Sequence, residues 1–345
     1  MNILTASLKA TFILLIIWVL ATHQLRSPRV LVLHSYSPDY SWTQEEDRGL
    51  RDFFRQYGSN RLYWHYMDLK RHHDANFQRT AARQAMDAIA YWDPDVLIVF
   101  DDIAQALVGQ YYRDHPHIKL VFAGVNNQPS AYGYQYASNV TGVIERKPLR
   151  AVDDAIHAIW NAEGTRTTLP QVLLLGDGSF DFTASLNEYQ AYQGHWKHLI
   201  WLPPRSAQTF EEWKKQVFRA ANYADFIVVS DYRQVRQASD TPRMVPADEV
   251  MRWTEAHAKV PVLGLTTAAT EDGAMLGVAT SGHEQGWEAA ALAQAILRGA
   301  PPSSLPVREG SQSMISLRQS ALAKRGLEIP QVYEAFAKAN GLYYP

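Results

Sequence analysis

Short apolar runs alternate with longer segments of helical periodicity from residue 29 onward. The predicted strands are RVLVLH, RLYWHYMD, DVLIVF, IKLVFAG, VTGVI, QVLLLGD, KHLIWLP, DFIVVSD, VPVLGL and AMLGVAT. Runs such as VLLL and FIVV are apolar without alternation, which is typical of parallel strands that are buried on both faces. The pattern therefore predicts an α/β protein whose parallel sheets are flanked by helices.

Three segments between these strands carry apolar side chains at three- and four-residue spacing, the period of a helix with one buried face. They are EEDRGLRDFFRQYG, NFQRTAARQAMDAIAYWDP and TFEEWKKQVFRAANYA. In the first segment the apolar stripe is formed by Leu50, Phe53, Phe54 and Tyr57, and Gly58 is placed to end the helix. We expect the aromatic side chains of these faces to pack in the core.

The strand and helix units form two groups, separated by TGVIERKPLR. This arrangement predicts two lobes, each with its own parallel sheet. A late strand, a long alanine-rich helix and the segment GAPPSSLPV follow the second group, which suggests that the chain returns to its first lobe and then crosses back. We expect residues 28–144 and 274–303 to form the first lobe and residues 145–273 and 304–345 the second. Several interlobe connections of this kind act as a hinge.

The first 27 residues have the pattern of a signal peptide or an N-terminal anchor. Lys9 precedes the apolar run ATFILLIIWVLA at residues 10–21, and a polar segment follows at once. We expect an export signal that is cleaved near Ala21; the alternative is an uncleaved membrane anchor. Both interpretations place the rest of the chain in the periplasm or elsewhere outside the cytoplasmic membrane.

Composition excludes several classes of function. The 345-residue chain is 47% hydrophobic and 20% charged, as in a packed globular protein, and its formal net charge of −2 offers no basic surface for nucleic acid. The sequence contains no Cys, which excludes disulfides, thiolate metal sites, cysteine catalysis and a lipid-modified Cys anchor.

Polar and aromatic residues follow most of the predicted strands, at the edge where open parallel sheets hold ligands. In the first group these residues are Ser35, Tyr36, Trp42, Asp101, Asp102, Gly124, Asn126 and Asn127. In the second group they are Asp177, Ser179, Phe180, Ser230, Asp231, Tyr232, Thr266 and Ser281. Hydroxyls, amides, carboxylates and rings without a catalytic spacing indicate a ligand-binding surface.

Structural roles are an alternative for several of these residues. Asp101 or Asp102 could cap the helix that follows them, and Ser230 and Asp231 have the same ambiguity. The pair at residues 126–127 could simply form an Asx turn. The sequence leaves these alternatives open.

Catalytic and cofactor motifs are missing from the sequence. The segment GDGSFD lacks the third glycine of a dinucleotide site, and there is no G-x-S-x-G elbow, Walker loop or HExxH pattern. The histidines at residues 72–73, 115 and 117 have no acidic or histidine partner at the spacing of known metal sites. We therefore expect a protein without catalytic residues, cofactor or metal ion, although a hydrolytic enzyme remains a less favoured alternative.

Two sets of segments resemble one known family. VLVLHSY, YSWTQ, RGLRDFF, DVLIVFDD, IKLVFAGVNN and VTGVIE are similar to the first lobe of ABC transporter substrate-binding proteins of the tryptophan-transporter-like group, which includes extracellular sensor domains of bacterial signalling proteins. EDGAMLGVATSGHEQGWEAAALAQAILRGAPPSSLPV and MISLRQSALAKRGLEIP resemble the closing pattern of that family. The resemblance spans nearly the whole mature chain, and residues 149–259 match mainly in the order of strands and helices.

The resemblance implies a type I periplasmic-binding-protein fold, in which two lobes joined by three crossings close on a small molecule. It places the ligand loops on residues 35, 36, 42, 101–102, 124–127, 177–180 and 230–232. Two features depart from the family: the anchoring Cys is absent, and Ser281 stands where a tyrosine often precedes the late glycine, here Gly282.

The function implied is capture of a small polar or amino-acid-like ligand for an ABC permease, by a protein that we expect to be a monomer. Aromatic rings such as Tyr36, Trp42 and Phe180 would enclose the ligand, and Asp101 or Asp231 would accept hydrogen bonds from its cationic or donating groups. The alternative is a sensor that signals to a membrane kinase or cyclase.

Overall fold

The structure, a computed structural model, describes residues 11–15, 27–58, 60–72, 74–162, 164 and 166–345. Most of the predicted export segment therefore lies outside the described residues. Within the described part of the chain, no helix is both long enough and apolar enough to span a membrane. The chain forms two compact units: unit 1 comprises Met1–Ile144 and Gly282–Arg308, and unit 2 comprises Glu145–Ser281 and Glu309–Pro345. The chain passes between the units three times.

Unit 1 is built around a six-stranded sheet with helices on both faces. Its strands are β1 (Arg29–His34), β2 (Arg61–Tyr66), β3 (Val96–Phe100), β4 (Lys119–Val125), β5 (Val140–Ile144) and β12 (Arg308–Glu309), in the order β12-β5-β4-β3-β1-β2. Its helices are α1 (Ser41–Tyr57), α2 (Ala75–Trp92), α3 (Asp102–Leu107) and α9 (Gly282–Leu297), with 3₁₀ turns at Gly109–Tyr112, Pro129–Tyr132, Tyr134–Tyr136 and Pro302–Ser304. Strands β1 to β5 pair in parallel.

Alternate residues of β1 pack in two separate cores, as the pleat of a strand requires. Leu31 and Leu33 lie in one core with residues of α2 such as Ala85. Val30 and Val32 lie in the other core with residues of α1 and α9. The unbroken apolar run of β1 is therefore explained by burial of both faces of the sheet.

Helices α1 and α9 approach each other closely because a glycine of each helix faces the backbone of the other. A Cβ added to Gly49 would lie 2.0 Å from the His283 carbonyl oxygen, and one added to Gly286 would lie 2.0 Å from the Glu46 carbonyl oxygen. No side chain fits at either position, so glycine fixes the distance between the helices. This crossing positions the first turns of α1 over one face of the sheet.

Unit 2 contains an eight-stranded sheet. Its strands are β6 (Gln171–Gly176), β7 (Ile200–Trp201), β8 (Arg205–Ser206), β9 (Phe226–Val229), β10 (Val262–Gly264), β11 (Leu276–Thr280), β13 (Ser313–Arg318) and β14 (Tyr343–Tyr344), in the order β14-β13-β11-β10-β9-β6-β7, with β8 beside β6. Its helices are α4 (Leu149–Trp160), α5 (Phe180–Ala191), α6 (Phe210–Ala220), α7 (Ala247–His257), α8 (Thr267–Glu271), α10 (Gln319–Arg325) and α11 (Gln331–Ala339), and Gln193–His195 forms a 3₁₀ turn.

The predicted α/β class, with parallel sheets flanked by helices, is confirmed. The placement of β11 differs from the expected lobe boundaries. This strand pairs with β10 in parallel and with β13 in an antiparallel ladder, so residues 274–281 belong to unit 2 and not to the first lobe. The chain crosses to unit 1 only after Ser281, and residues 304–308 also lie in unit 1 rather than in the second lobe.

Candidate functional site

The carboxyl ends of β1, β3 and β4 lie side by side in the middle of the sheet of unit 1. The predicted residues Ser35, Asp101 and Asn126 follow these strands directly, so the fold brings them to one edge.

Ser35 joins two of these strand ends and caps a helix. Its hydroxyl donates to the Phe100 carbonyl oxygen at 2.9 Å and accepts from the Ala104 backbone N–H at 2.9 Å. The second bond satisfies a free N–H in the first turn of α3. Because Ser35 is fully buried and both bonds are to the backbone, its role in the described structure is to hold this edge in place.

Asp101 has a strained backbone and a buried side chain. Its φ of 65° and ψ of 157° lie in a region that is normally restricted to glycine, and such strain is concentrated at functional sites. The Asp101 side chain makes no capping bond to α3. Its Oδ1 instead accepts a hydrogen bond from Trp42 Nε1 at 3.2 Å. The capping alternative is therefore wrong for Asp101.

Asp102 organises the loop that follows β4. Its carboxylate accepts hydrogen bonds from the backbone N–H groups of Asn126 and Asn127 at 3.0 and 3.1 Å, and from the Tyr132 hydroxyl at 2.5 Å. Gly124, with φ of 63°, donates its N–H to Gln285 Oε1 at 3.0 Å. These residues fix the shape of the loop, which is a structural role for Asp102.

Tyr36 extends the same edge with an aromatic surface. Its ring packs edge-on against Tyr40, with ring centroids 5.4 Å apart, and the Lys70 ammonium lies 4.8 Å from the Tyr36 ring centroid. Tyr36 is buried, whereas Trp42 is partly exposed. Of the two predicted aromatic residues, Trp42 is therefore the one that a solute can reach more easily.

A buried cluster that the sequence prediction did not include lies behind Asp101. His34 ends β1, and Glu46 and Asp47 lie on α1; His34 and Glu46 have no solvent exposure. His34 Nε2 lies 3.0 Å from Asp47 Oδ1, and His34 Nδ1 lies 3.4 Å from Glu46 Oε2. Burial lowers the pKa of His34 despite the opposing influence of Asp47, so the imidazole is neutral at pH 7.

The sequence carried a signal for Glu46. It stands four residues before Leu50 and seven before Phe53, on the apolar stripe of α1. A carboxylate on the buried face of a helix needs a polar or cationic partner, because an isolated buried charge is costly. Asp47 had no such signal, since its partners Trp64 and Tyr66 are brought to it by β2.

In unit 2 the ends of β6, β9, β10 and β11 are adjacent. Three predicted residues have local structural roles there. Asp177 accepts from the backbone N–H groups of Ser179 and Gln234 at 3.0 and 2.9 Å. Ser179 and Thr266 cap α5 and α8 through hydrogen bonds from Phe182 N and Ala269 N, respectively. The side chain of Phe180, at the start of α5, lies outside the described residues.

Ser230 and Asp231 belong to a charged network at the end of β9. Ser230 Oγ donates to Asp231 Oδ2 at 2.8 Å and lies 3.3 Å from the Tyr189 hydroxyl. The Lys147 ammonium lies 3.4 Å from Glu145 Oε1. Burial alone would lower the pKa of Lys147, but the negative charges of Glu145 and Asp231 raise it, so Lys147 stays protonated.

Neither Glu145 nor Lys147 was predicted. Both lie in the segment where the chain enters unit 2, and Thr280 at the end of β11 donates to Glu145 Oε1 at 3.0 Å. Sequence alone offered no sign that this short polar segment between a strand and a helix would be buried. The Lys147 ammonium supplies a positive charge at an edge where none of the predicted ligand residues is cationic.

Tyr232 and Ser281 are both buried. The Tyr232 hydroxyl donates to Asp272 Oδ2 at 2.5 Å, and Arg233 Nη2 donates to the same oxygen at 2.6 Å. This bonding holds the loop after β9 against the segment after α8. Tyr232 therefore has a structural role in the described part of unit 2.

A cavity of about 540 Å³ opens beside the Lys147 network in unit 2. Its wall includes Lys147, Glu188, Tyr192, Thr280 and Ser313. A cavity of this size is sufficient for a small solute, and its lining combines charged groups with an aromatic ring.

Solved structures with similar folds are found for almost the whole chain. A conserved domain protein from Vibrio cholerae O1 biovar El Tor is 19% identical, with a TM-score of 0.64 over 90% of this chain and 98% of that one. The ABC domain in complex with L-Trp from Streptococcus pneumonia is 16% identical, with a TM-score of 0.62 over 89% and 98%. A leucine binding protein from Thermotoga maritima is 12% identical, with a TM-score of 0.53 over 79% and 83%.

These similarities define the class of the fold: it is that of the type I periplasmic binding proteins. A family model described as ABC transporter substrate binding protein matches residues 224–339. This match confirms the resemblance to ABC transporter substrate-binding proteins. No curated protein matches the chain.

Proposed function

We propose that this protein binds a small polar or amino-acid-like solute outside the cytoplasmic membrane and delivers it to an ABC permease. The observation that carries the proposal is the gathering of polar and aromatic groups at the carboxyl ends of adjacent parallel strands in each unit. The family-model match supports it independently. Transport is favoured over sensing because the matched family and several similar structures are named as transporter components.

Each unit would supply its own set of ligand contacts. In unit 1, Trp42 offers a partly exposed ring, and Asp101 offers a carboxylate held by the Trp42 N–H. In unit 2, Asp231 and Lys147 offer opposite charges close to a cavity. One carboxylate and one ammonium are suited to the amino and carboxylate groups of an amino acid. We infer that amino acids are better candidates than neutral sugars.

The protein would act by binding alone. We propose that it is exported by its N-terminal segment, works as a monomer and uses no catalytic residue or cofactor. The ligand would stabilise the form of the protein that binds it, to the extent that it binds that form more tightly than the others.

Ligand-dependent thermal shift tests this proposal. The purified protein is screened against the common amino acids, with neutral sugars as the comparison set, and each hit is measured by isothermal titration calorimetry. Native mass spectrometry of freshly purified protein looks for a small molecule that co-purifies. We expect at least one amino acid to raise the melting temperature and to bind with one molecule per chain.

Two variants locate the site. Trp42→Phe removes the N–H that holds Asp101 and should weaken binding about 5- to 30-fold, equivalent to roughly 1–2 kcal/mol. Trp92→Phe is the matched control, because Trp92 ends α2 ahead of β3, at the amino ends of the strands, and should leave affinity unchanged. Equal affinities of the two variants would place the ligand elsewhere.

Other results would replace the proposed function. Turnover of a hit compound would indicate an enzyme. Normal uptake of the identified ligand by cells that lack the protein would argue against a role in transport.

A further inference from the structure

Three side chains in unit 1 bring metal-ligating atoms together. His34, Glu46 and Asp101 each offer one nitrogen or carboxylate oxygen, and these atoms lie within 4.8 Å of one another. His34 and Glu46 are completely buried, and Asp101 is 4% exposed. One imidazole and two carboxylates form a ligand set that suits divalent transition metals, Zn²⁺ in particular.

The tautomer of His34 leaves a lone pair directed into this cluster. Asp47 accepts a hydrogen bond from the Tyr66 hydroxyl to its Oδ2 at 2.6 Å. It also accepts from Trp64 Nε1 at 2.7 Å. His34 Nε2 therefore carries the proton that is donated to Asp47, and Nδ1 is the unprotonated nitrogen. Among the described residues His34 Nδ1 makes no hydrogen bond, although it is fully buried.

An unprotonated nitrogen and a carboxylate oxygen are both electron-pair donors, so a proton or a metal ion between them would stabilise the pair. The 3.4 Å separation of His34 Nδ1 and Glu46 Oε2 is too long for a strong hydrogen bond. Two ligand atoms on a tetrahedral metal ion are also about 3.4 Å apart when each metal–ligand bond is about 2.1 Å long. The distance therefore fits two adjacent ligands of one metal ion.

The surrounding structure holds these ligands in place. The His34 ring is stacked between Phe100 and Tyr66, with centroid distances of 4.5 and 5.3 Å. The bond from Nε2 to Asp47 is the carboxylate–histidine arrangement that orients metal-binding imidazoles and fixes their tautomer. Glu46 is positioned by the glycine crossing of α1 and α9, where its carbonyl oxygen faces Gly286.

We propose that His34 Nδ1, Glu46 and Asp101 bind a single divalent transition-metal ion of the Zn²⁺ type in unit 1. The spacing of 12 and 55 residues between these ligands matches no short motif, which explains why the sequence predicted no metal site. Asp101 takes part in both proposals, so the metal site and the proposed solute site share one residue. Metal binding is therefore measured without any solute.

The test uses the full chain, stripped with a chelator and dialysed. Calorimetric titrations with Zn²⁺ and Mn²⁺ are compared with Mg²⁺ and Ca²⁺, which prefer all-oxygen sites. We expect one Zn²⁺ per chain, confirmed by elemental analysis of the dialysed complex, and much weaker binding of Mg²⁺ and Ca²⁺. Titration with Co²⁺ should give the intense visible absorption of a tetrahedral site at one equivalent.

Variants separate this site from surface histidines. His34→Gln and Glu46→Gln should each weaken Zn²⁺ binding by about 100-fold or more, and Asp47→Asn, which changes only a positioning residue, by about 10- to 100-fold. His72→Gln is the matched control, because exposed His72 lies beside Asp68, with Nε2 3.6 Å from Oδ2. This variant should bind Zn²⁺ as the unmodified protein does. Circular dichroism checks that each variant is folded.

The proposal fails if the stripped protein binds no added Zn²⁺, or if folded His34→Gln binds Zn²⁺ as the unmodified chain does. A cluster held together by a shared proton would give that first result. If the variants do not fold, the Co²⁺ titration of the unmodified protein tests the site instead. The absorption of a tetrahedral complex at one equivalent of Co²⁺ would support the metal site, and the absence of this absorption would overturn the proposal. Failure of solute binding alone would leave these metal measurements unaffected.

Discussion

Replacing Asp101 by glycine or by alanine tests whether this position is strained. Both variants remove the carboxylate and its bond from Trp42 Nε1, so they differ only in the Cβ methyl group of alanine and the restriction that it places on the backbone. Alanine must keep φ of 65° and ψ of 157°, a conformation that costs a non-glycine residue on the order of 1–3 kcal/mol. Glycine adopts it freely, but loses about 0.5–1 kcal/mol because its unfolded chain is more flexible.

The difference predicts that Asp101→Gly is more stable than Asp101→Ala by about 0.5–2 kcal/mol. Urea denaturation, followed by tryptophan fluorescence and circular dichroism, measures this difference from the transition midpoints and slopes. Gln84, on the exposed side of α2, is the control position. There the order should reverse, with Gln84→Ala more stable than Gln84→Gly by about 1 kcal/mol.

The reasoning is refuted if Asp101→Ala equals or exceeds Asp101→Gly in stability while the Gln84 pair behaves as expected. That result would mean that the loop relaxes into an ordinary conformation once the carboxylate is lost. The strain would then be a consequence of the side-chain contacts, not a feature that the fold imposes.

Three further predictions concern packing, pH and charge. Gly286→Ala should lower stability by at least about 1–3 kcal/mol in urea denaturation, because its Cβ would lie 2.0 Å from the Glu46 carbonyl oxygen; an unchanged midpoint would show that the helices separate easily. Burial lowers the pKa of His65 in the folded protein below 6.5. As the pH falls, the unfolded chain therefore binds a proton at His65 before the folded protein does. The stability that His65 contributes is complete above pH 6.5 and is lost as the pH falls below that value. His65→Gln should therefore lose less stability than the unmodified protein between pH 7.5 and 5; identical losses would contradict this. Lys147→Met should lower the melting temperature and cost about 3–5 kcal/mol, because it leaves Glu145 and Asp231 without their ammonium partner; a variant of native stability would show that the network is not coupled.

Local pattern was sufficient to predict most of the elements. The strand predicted at RVLVLH is β1, and the helix predicted from the stripe of Leu50 and Phe53 is part of α1, which begins earlier, at Ser41. These predictions succeeded because burial on both faces of a sheet, or on one face of a helix, leaves a periodic trace in the sequence. KHLIWLP was less well predicted, since only Ile200–Trp201 pairs as a strand at the edge of the sheet.

The sequence by itself determined the fold class, the polar and aromatic residues that follow the carboxyl ends of the strands, and the resemblance to substrate-binding proteins. Only the tertiary structure decided what each polar residue at those edges does, because a hydroxyl or carboxylate can cap a helix or face a solute from the same sequence position. Ser35 caps α3, and Asp101, one residue before that helix, bonds to Trp42 instead. The structure alone also joined His34 to Glu46 and Lys147 to Asp231, since contacts between distant segments depend on strand order and helix crossings that no local pattern records.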